Sequence, residues 1–275
     1  MAVERESHEI LTRLLSAFAM AAVALAMLWL GSYWFLCLVA GIGGAMSWEW
    51  TRAVRGVSFD VGLIIQILSL TLAILVVTSS GLLPACAVLC AGAMILFAWC
   101  PRSDRLMSAI GIFYVGLPAI ALVSLRSDPE FGFAAVLLVL VSIWSHDTFA
   151  MIVGRVLGGP KLWPGLSPNK TWTGVIGGVT ASACAGAVFG QFYDAASTLQ
   201  LTAIGLALGV AGLAGDLIES AFKRRYGLKH ASDLIPGHGG VMDRLDGVVI
   251  AAIVAMAIGA WFGPDAPSRA LLNLQ

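Results

Sequence analysis

Residues 220–246 read SAFKRRYGLKHASDLIPGHGGVMDRLD, with seven Lys, Arg or His, three Asp and four Gly in one short segment. Cations at that density repel one another unless an anion joins them, and glycine lets backbone N–H groups reach an anion without a side chain in the way. Carboxylates are hard oxygen donors of the kind that suits Mg²⁺. The chemistry this segment offers is therefore the handling of a phosphate-rich, metal-associated anion. Just upstream, Asp216, Glu219, Ser220 and Lys223 stand at i, i+3, i+4 and i+7, which puts them on one helical face, and Asp243 and Asp246 stand three apart on the next helix. Each feature also has a plainer reading. Charges at helix ends serve as interfacial anchors or ion pairs, Pro236-Gly237-His238-Gly239-Gly240 serves as an ordinary turn, and juxtamembrane cations grip anionic lipid headgroups.

A second polar stretch, residues 154–173, carries Arg155, Lys161 and Lys170 together with Trp163 and Trp172, which fit the membrane interface. Its Ser167-Pro168-Asn169-Lys170-Thr171 run predicts a rigid turn that offers hydroxyls and a cation to an anion, or equally an ordinary capped loop. Asp147, with His146 beside it, lies about two helical turns before Arg155 and either completes a polar pocket or pairs with a base.

The elements that must position these groups are membrane-spanning helices. Hydrophobic residues make up 59% of the chain and charged ones 12%, and the mean hydropathy is +0.90. A bilayer-spanning helix needs about 20 apolar residues. Predominantly apolar runs near 14–30, 33–48, 61–79, 82–100, 106–125, 131–153, 174–193, 200–219 and 247–263 predict an all-α, polytopic bundle of about nine spans. With the N-terminus inside, fourteen Lys and Arg fall in inside segments and only Arg126 and Arg269 outside. That bias marks the basic side as cytoplasmic and leaves the C-terminus on the opposite side. The whole chain, 1–275, reads as a single membrane domain whose cytoplasmic loops near 154–173 and 220–246 carry the chemistry. An ionisable group at membrane depth is costly, so Asp216, which follows an uncharged run back to Thr198, calls for a function.

A net charge of zero argues against a nucleic-acid partner. The first apolar run is too long for a signal-peptide core and predicts an uncleaved span. Cys37, Cys86, Cys90, Cys100 and Cys184 fall in or at the ends of spans with no ligand spacing, which predicts small buried hydrophobes rather than disulfides or zinc ligands.

Residues 220–246 resemble the C-terminal signature of the phosphatidate cytidylyltransferase (CDP-diacylglycerol synthase) family, S-x-x-K-R-x4-K-D-x-[GSA]-x2-[LIF]-[PG]-x-H-G-G-x-x-D-R-x-D. Ser220, Lys223, Arg224, Lys229, Ser232, Ile235, Pro236, His238, Gly239, Gly240, Asp243, Arg244 and Asp246 match, and His230 stands where the family has Asp. Ser167 to Trp172 similarly resembles the family's SPxKTWEG motif, with Thr173 in place of the acidic residue. The resemblance implies transfer of CMP from CTP to phosphatidic acid, giving CDP-diacylglycerol and pyrophosphate at a bacterial inner membrane. It implies Asp216 and Asp243 as Mg²⁺ ligands, with a second cation left open. It also implies Lys170, Lys223, Arg224, Lys229, His238, Arg244 and Asp246 as catalytic groups, and Ser167, Thr171, Ser220, Gly239, Gly240 and Asp147 as substrate-binding. Activity is expected to survive His230, with Asp233 near enough along the loop to compensate. A CTP-dependent isoprenoid alcohol kinase is the nearest alternative, and a polytopic transporter a more distant one. A CDP-alcohol phosphotransferase would need a DGxxAR-type motif, whereas Asp246-Gly247 is followed by Val-Val-Ile. A homodimer is compatible with the sequence, which carries no signal for one.

Overall fold

The computed structural model describes residues 18–192, 197–235 and 239–273. Its helices are α1 (Phe18–Leu30), α2 (Ser32–Arg55), α3 (Val61–Ser80), α4 (Leu82–Trp99), α5 (Arg105–Arg126), α6 (Gly132–Leu157), α7 (Trp172–Phe189), α8 (Thr198–Arg225), α9 (Met242–Phe262) and the short α10 (Pro267–Asn273). Over the described residues, each predicted apolar run overlaps one of them. Seven, α3 to α9, are long and apolar enough to cross a bilayer. Of the other two, α1 is shorter over the described residues and α2 carries Glu49, Arg52 and Arg55 in its C-terminal turns. The protein is an integral membrane helix bundle. Leu68, Leu72, Leu75, Leu83, Met94, Ile95 and Leu206 are exposed on these helices, as apolar side chains are where the surrounding solvent is lipid.

Punctuation follows local chemistry. Asp60 caps α3 by accepting from the Leu63 amide at 2.7 Å, and its carboxylate also takes the Arg55 guanidinium, with Nε 2.8 Å from Oδ2. Gly81, at φ +87°, is the only residue between α3 and α4, and Gly31, at φ +111°, the only one between α1 and α2.

Two departures from the sequence reading stand out. Ser167–Thr171 is a strand, β2, paired antiparallel with β1 (Lys161–Trp163). The turn lies instead at residues 164–166, where Pro164 and Gly165 set it. The cysteines are free, as expected, but only Cys100 is buried; Cys37, Cys90 and Cys184 are exposed along helices, where an apolar environment is supplied by lipid.

The chain forms two compact units. One comprises residues 1–123 and 225–245, the other residues 124–224 and 246–275. No Pro- or Gly-rich linker marks the divisions, because they fall within or at the ends of α5, α8 and α9. In the first, α3 packs on α2 and α4, and Trp50 of α2 donates its indole N–H to the Met107 carbonyl at 2.8 Å. In the second, α6 packs along α7, where the Ser182 hydroxyl donates to the Ser142 carbonyl at 2.5 Å, and α10 also packs on α6.

Candidate active site

In the second unit, Lys170 at the end of β2 forms an ion pair with Asp216 of α8. The cation of one polar stretch thus meets the carboxylate that precedes the other, 46 positions along the chain. Asp246 of α9 lies within electrostatic reach of Asp216, Asp147 and Lys170, and His146 within reach of Lys170 and Asp216. Four elements therefore bring three carboxylates and one ammonium together. Backbone proximity makes this feasible. A Cβ on Gly215 would stand 2.1 Å from the Asp246 carbonyl oxygen, so α8 and α9 approach main chain to main chain immediately beside Asp216.

One turn further along α8, Lys223 pairs with Glu219 at 2.5 Å, and Glu219 is fully buried. The Ser220 hydroxyl donates to Asp216 Oδ1 at 3.4 Å, and Arg224 Nε donates to the Leu166 carbonyl at 3.3 Å in the turn between β1 and β2. The predicted face of Asp216, Glu219, Ser220 and Lys223 is thus real, and its carboxylates are knitted to its own donors. Thr171 is spent on structure. It caps α7 by accepting from the Gly174 amide at 3.1 Å and shares a hydrogen bond with Thr173 Oγ1 at 3.0 Å. Thr173 in turn donates to the Gly158 carbonyl, which makes Thr171 the donor between the two hydroxyls. A carboxylate at position 173 has no proton to offer that carbonyl. Ser167 pairs with Trp163 across the hairpin.

In the first unit, Asp243 is almost wholly buried and its Oδ2 accepts from the amides of Ala231 at 3.0 Å and Gly240 at 2.9 Å. The Gly240 amide is therefore directed at Asp243. Gly239, at φ +79°, pairs with Ile235 as an isolated bridge. Lys229 and Arg244 are exposed. Pro236, Gly237 and His238 lie outside the described residues, and with them the expectation placed on His238.

His230 is half exposed, with Nδ1 3.9 Å from Asp243 Oδ2, too far for a hydrogen bond. Asp233 is exposed as well. We expect His230→Ala to change kcat/KM by about twofold or less, the size of an ordinary surface substitution. A loss beyond about tenfold with a preference shifted toward Mn²⁺, read in a CTP turnover assay with varied metal, would instead make the imidazole a ligand.

Sequence reasoning passed over Glu49. It lies on α2, fully buried, and its carboxylate accepts from the Ser232 hydroxyl at 2.5 Å, the Val241 amide at 2.8 Å and the Met242 amide at 2.7 Å. The available signal was its charge at the edge of an apolar run; its partners lie more than 180 residues away.

A polytopic helical bundle with clustered carboxylates, an ion-paired lysine and a basic glycine-containing loop defines a membrane-embedded enzyme that works on phosphate esters. Residues 11–262 match the cytidylyltransferase family model, and the chain belongs to that family of nucleotidyltransferases. It is 38% identical over 260 residues to proteins of Brucella suis and Brucella melitensis, each called phosphatidate cytidylyltransferase, covering 94% of this chain and 96% of the relative. A Staphylococcus saprophyticus protein of the same name is 40% identical over 144 residues, 52% of this chain and 54% of the relative.

Proposed function

We propose that this protein is a phosphatidate cytidylyltransferase. A phosphate oxygen of phosphatidic acid attacks the α-phosphorus of CTP, the bond to the β-phosphate oxygen breaks, and pyrophosphate leaves as CDP-diacylglycerol stays in the membrane. The observation that carries this reading is the meeting of Lys170, from one family-like motif, with Asp216, just ahead of the other, within electrostatic reach of Asp246 and Asp147. Nucleotidyl transfer needs little covalent help from the protein. It needs reactants held in line and oxygen charge neutralised as it shifts. Lys170 would neutralise that charge, supported by its place in the carboxylate cluster, and Lys223, Arg224, Lys229 and Arg244, all within residues 223–244, would add positive charge for a triphosphate and a lipid phosphate.

Mg²⁺ fits the donor set. Among the described residues no group of three or more His, Cys, Asp or Glu converges on one metal position, yet Mg²⁺ commonly takes one or two carboxylates and keeps several waters. Asp216 would serve as a ligand, supported by its carboxylate-rich surroundings, and the reading of Asp243 as a ligand rests on its place in the signature alone. The ion would supply charge neutralisation on phosphate oxygens. Nine spans, a cytoplasmic N-terminus and a basic face turned toward cytoplasmic CTP complete the proposal. The support is the distribution of Lys and Arg and, for the inner membrane, the bacterial relatives.

The deciding experiment incubates purified protein and radiolabelled CTP with phosphatidic acid or with isoprenoid alcohols. Label appearing in a CDP-lipid with phosphatidic acid alone is the expected result. Phosphorylation of an isoprenoid alcohol would transfer the assignment to a CTP-dependent lipid kinase.

A further inference from the structure

We propose that Glu49 is a positioning residue for the reaction, fixing the signature loop and the first turn of α9 from a distant helix. The inference rests on the reading of residues 220–246 as catalytic. The first amides of any helix lack intrahelical partners and carry the positive end of its dipole. At α9 two such groups, Val241 N–H at its entry and Met242 N–H at its first residue, are taken not by a local cap but by the Glu49 carboxylate of α2. The same carboxylate holds the Ser232 hydroxyl, which itself accepts from the Leu234 amide at 3.2 Å.

Asp243 works from the other side of this loop, drawing the Ala231 and Gly240 amides to its Oδ2. Two buried carboxylates thus collect four backbone amides and one hydroxyl, and between them set the loop's path from Ala231 to Ser232 and from Gly240 into α9. Gly240 fits this clamp closely. A Cβ there would lie 2.6 Å from Glu49 Oε1, 2.9 Å from the Ala231 Cβ and 3.0 Å from the Ser232 amide nitrogen. The path of residues 231–232 and 240–242 is therefore written into α2, an element with no part of either motif. Glu49 touches no reacting atom in this account. It governs where Asp243 and the residues around it point.

The test compares full-length wild type with Glu49→Gln, Ser232→Ala and the double variant in detergent micelles. It measures kcat and KM for CTP and, independently of activity, hydrogen exchange at the Val241 and Met242 amides. Glu49→Gln keeps the shape but puts an NH₂ where an amide donor now finds an acceptor. We expect it to speed exchange at those two amides at least tenfold and to lower kcat by roughly 10- to 100-fold, with a smaller change in KM. Ser232→Ala should lower kcat a few-fold, and the double variant should be no worse than Glu49→Gln alone, because both act through one network. Wild-type kcat in a folded Glu49→Gln protein whose exchange is accelerated would overturn the proposal, as would strictly multiplicative effects in the double variant. If Glu49→Gln does not fold, Ser232→Ala decides: unchanged kcat overturns the inference and a few-fold loss supports it. If the wild type transfers no CMP to phosphatidic acid, the functional reading fails on its own, and the exchange data still report whether Glu49 holds the loop.

Discussion

Asp216→Asn is expected to reduce CMP transfer by about 10²-fold or more while leaving the protein folded, measured as CDP-lipid formed per minute by detergent-purified enzyme. The side chain keeps its size and its place on α8, and the adjacent Ser220 hydroxyl still finds an acceptor. Two things are lost. Lys170 no longer has its carboxylate partner, so its ammonium is free to shift away from the position the pair now defines. The cluster of Asp216, Asp246 and Asp147 also gives up the member paired with the lysine, the carboxylate proposed above as a ligand for a divalent ion. Raising Mg²⁺ should recover only part of the loss. Near-normal turnover in this variant would remove Asp216 from the site.

Gly215→Ala should be comparably damaging by a different route. The added methyl would stand 2.1 Å from the Asp246 backbone oxygen, a contact with main chain that no rotamer change relieves. Helices α8 and α9 must separate there, carrying Asp216 and Asp246 apart. Overpacking of this kind costs about 1–3 kcal/mol of stability, and a displacement near 1 Å in the site can cost about 100-fold in rate. Gly212→Ala, one turn earlier, is the control. Its methyl would meet the Ile143 Cδ1 at 2.6 Å, the end of a buried side chain rather than main chain, so a small side-chain shift relieves the overlap without parting the helices. Activity should fall strongly for Gly215→Ala and little for Gly212→Ala, and equal effects would show that the α8–α9 approach does not set the site.

The seven helices long and apolar enough to span were legible because hydrocarbon imposes a long apolar run on anything that crosses it. The Asp216, Glu219, Ser220 and Lys223 face was legible because helical spacing is arithmetic. The strand at Ser167–Thr171 was not, because five residues containing Pro168 and Asn169 carry turn propensity, and their pairing with Lys161–Trp163 depends on a partner rather than on local preference. Thr171 and Gly240 read in the sequence as groups for a ligand, and their bonds to Gly174 and Asp243 depend on a backbone geometry that residue types alone do not reveal. Glu49 escaped notice for another reason: its importance lies wholly in donors distant along the chain.

The single glycine between α3 and α4 bears on how the chain enters the membrane during synthesis. Helices of 20 and 18 residues joined by Gly81 alone leave no polar segment between them to be carried across the bilayer. Once the end of α3 has arrived at the far surface, α4 can only turn back, since the next residue already belongs to it. Insertion of the pair as one helical hairpin is the expected consequence, with Gly81, at φ +87°, the corner about which it closes.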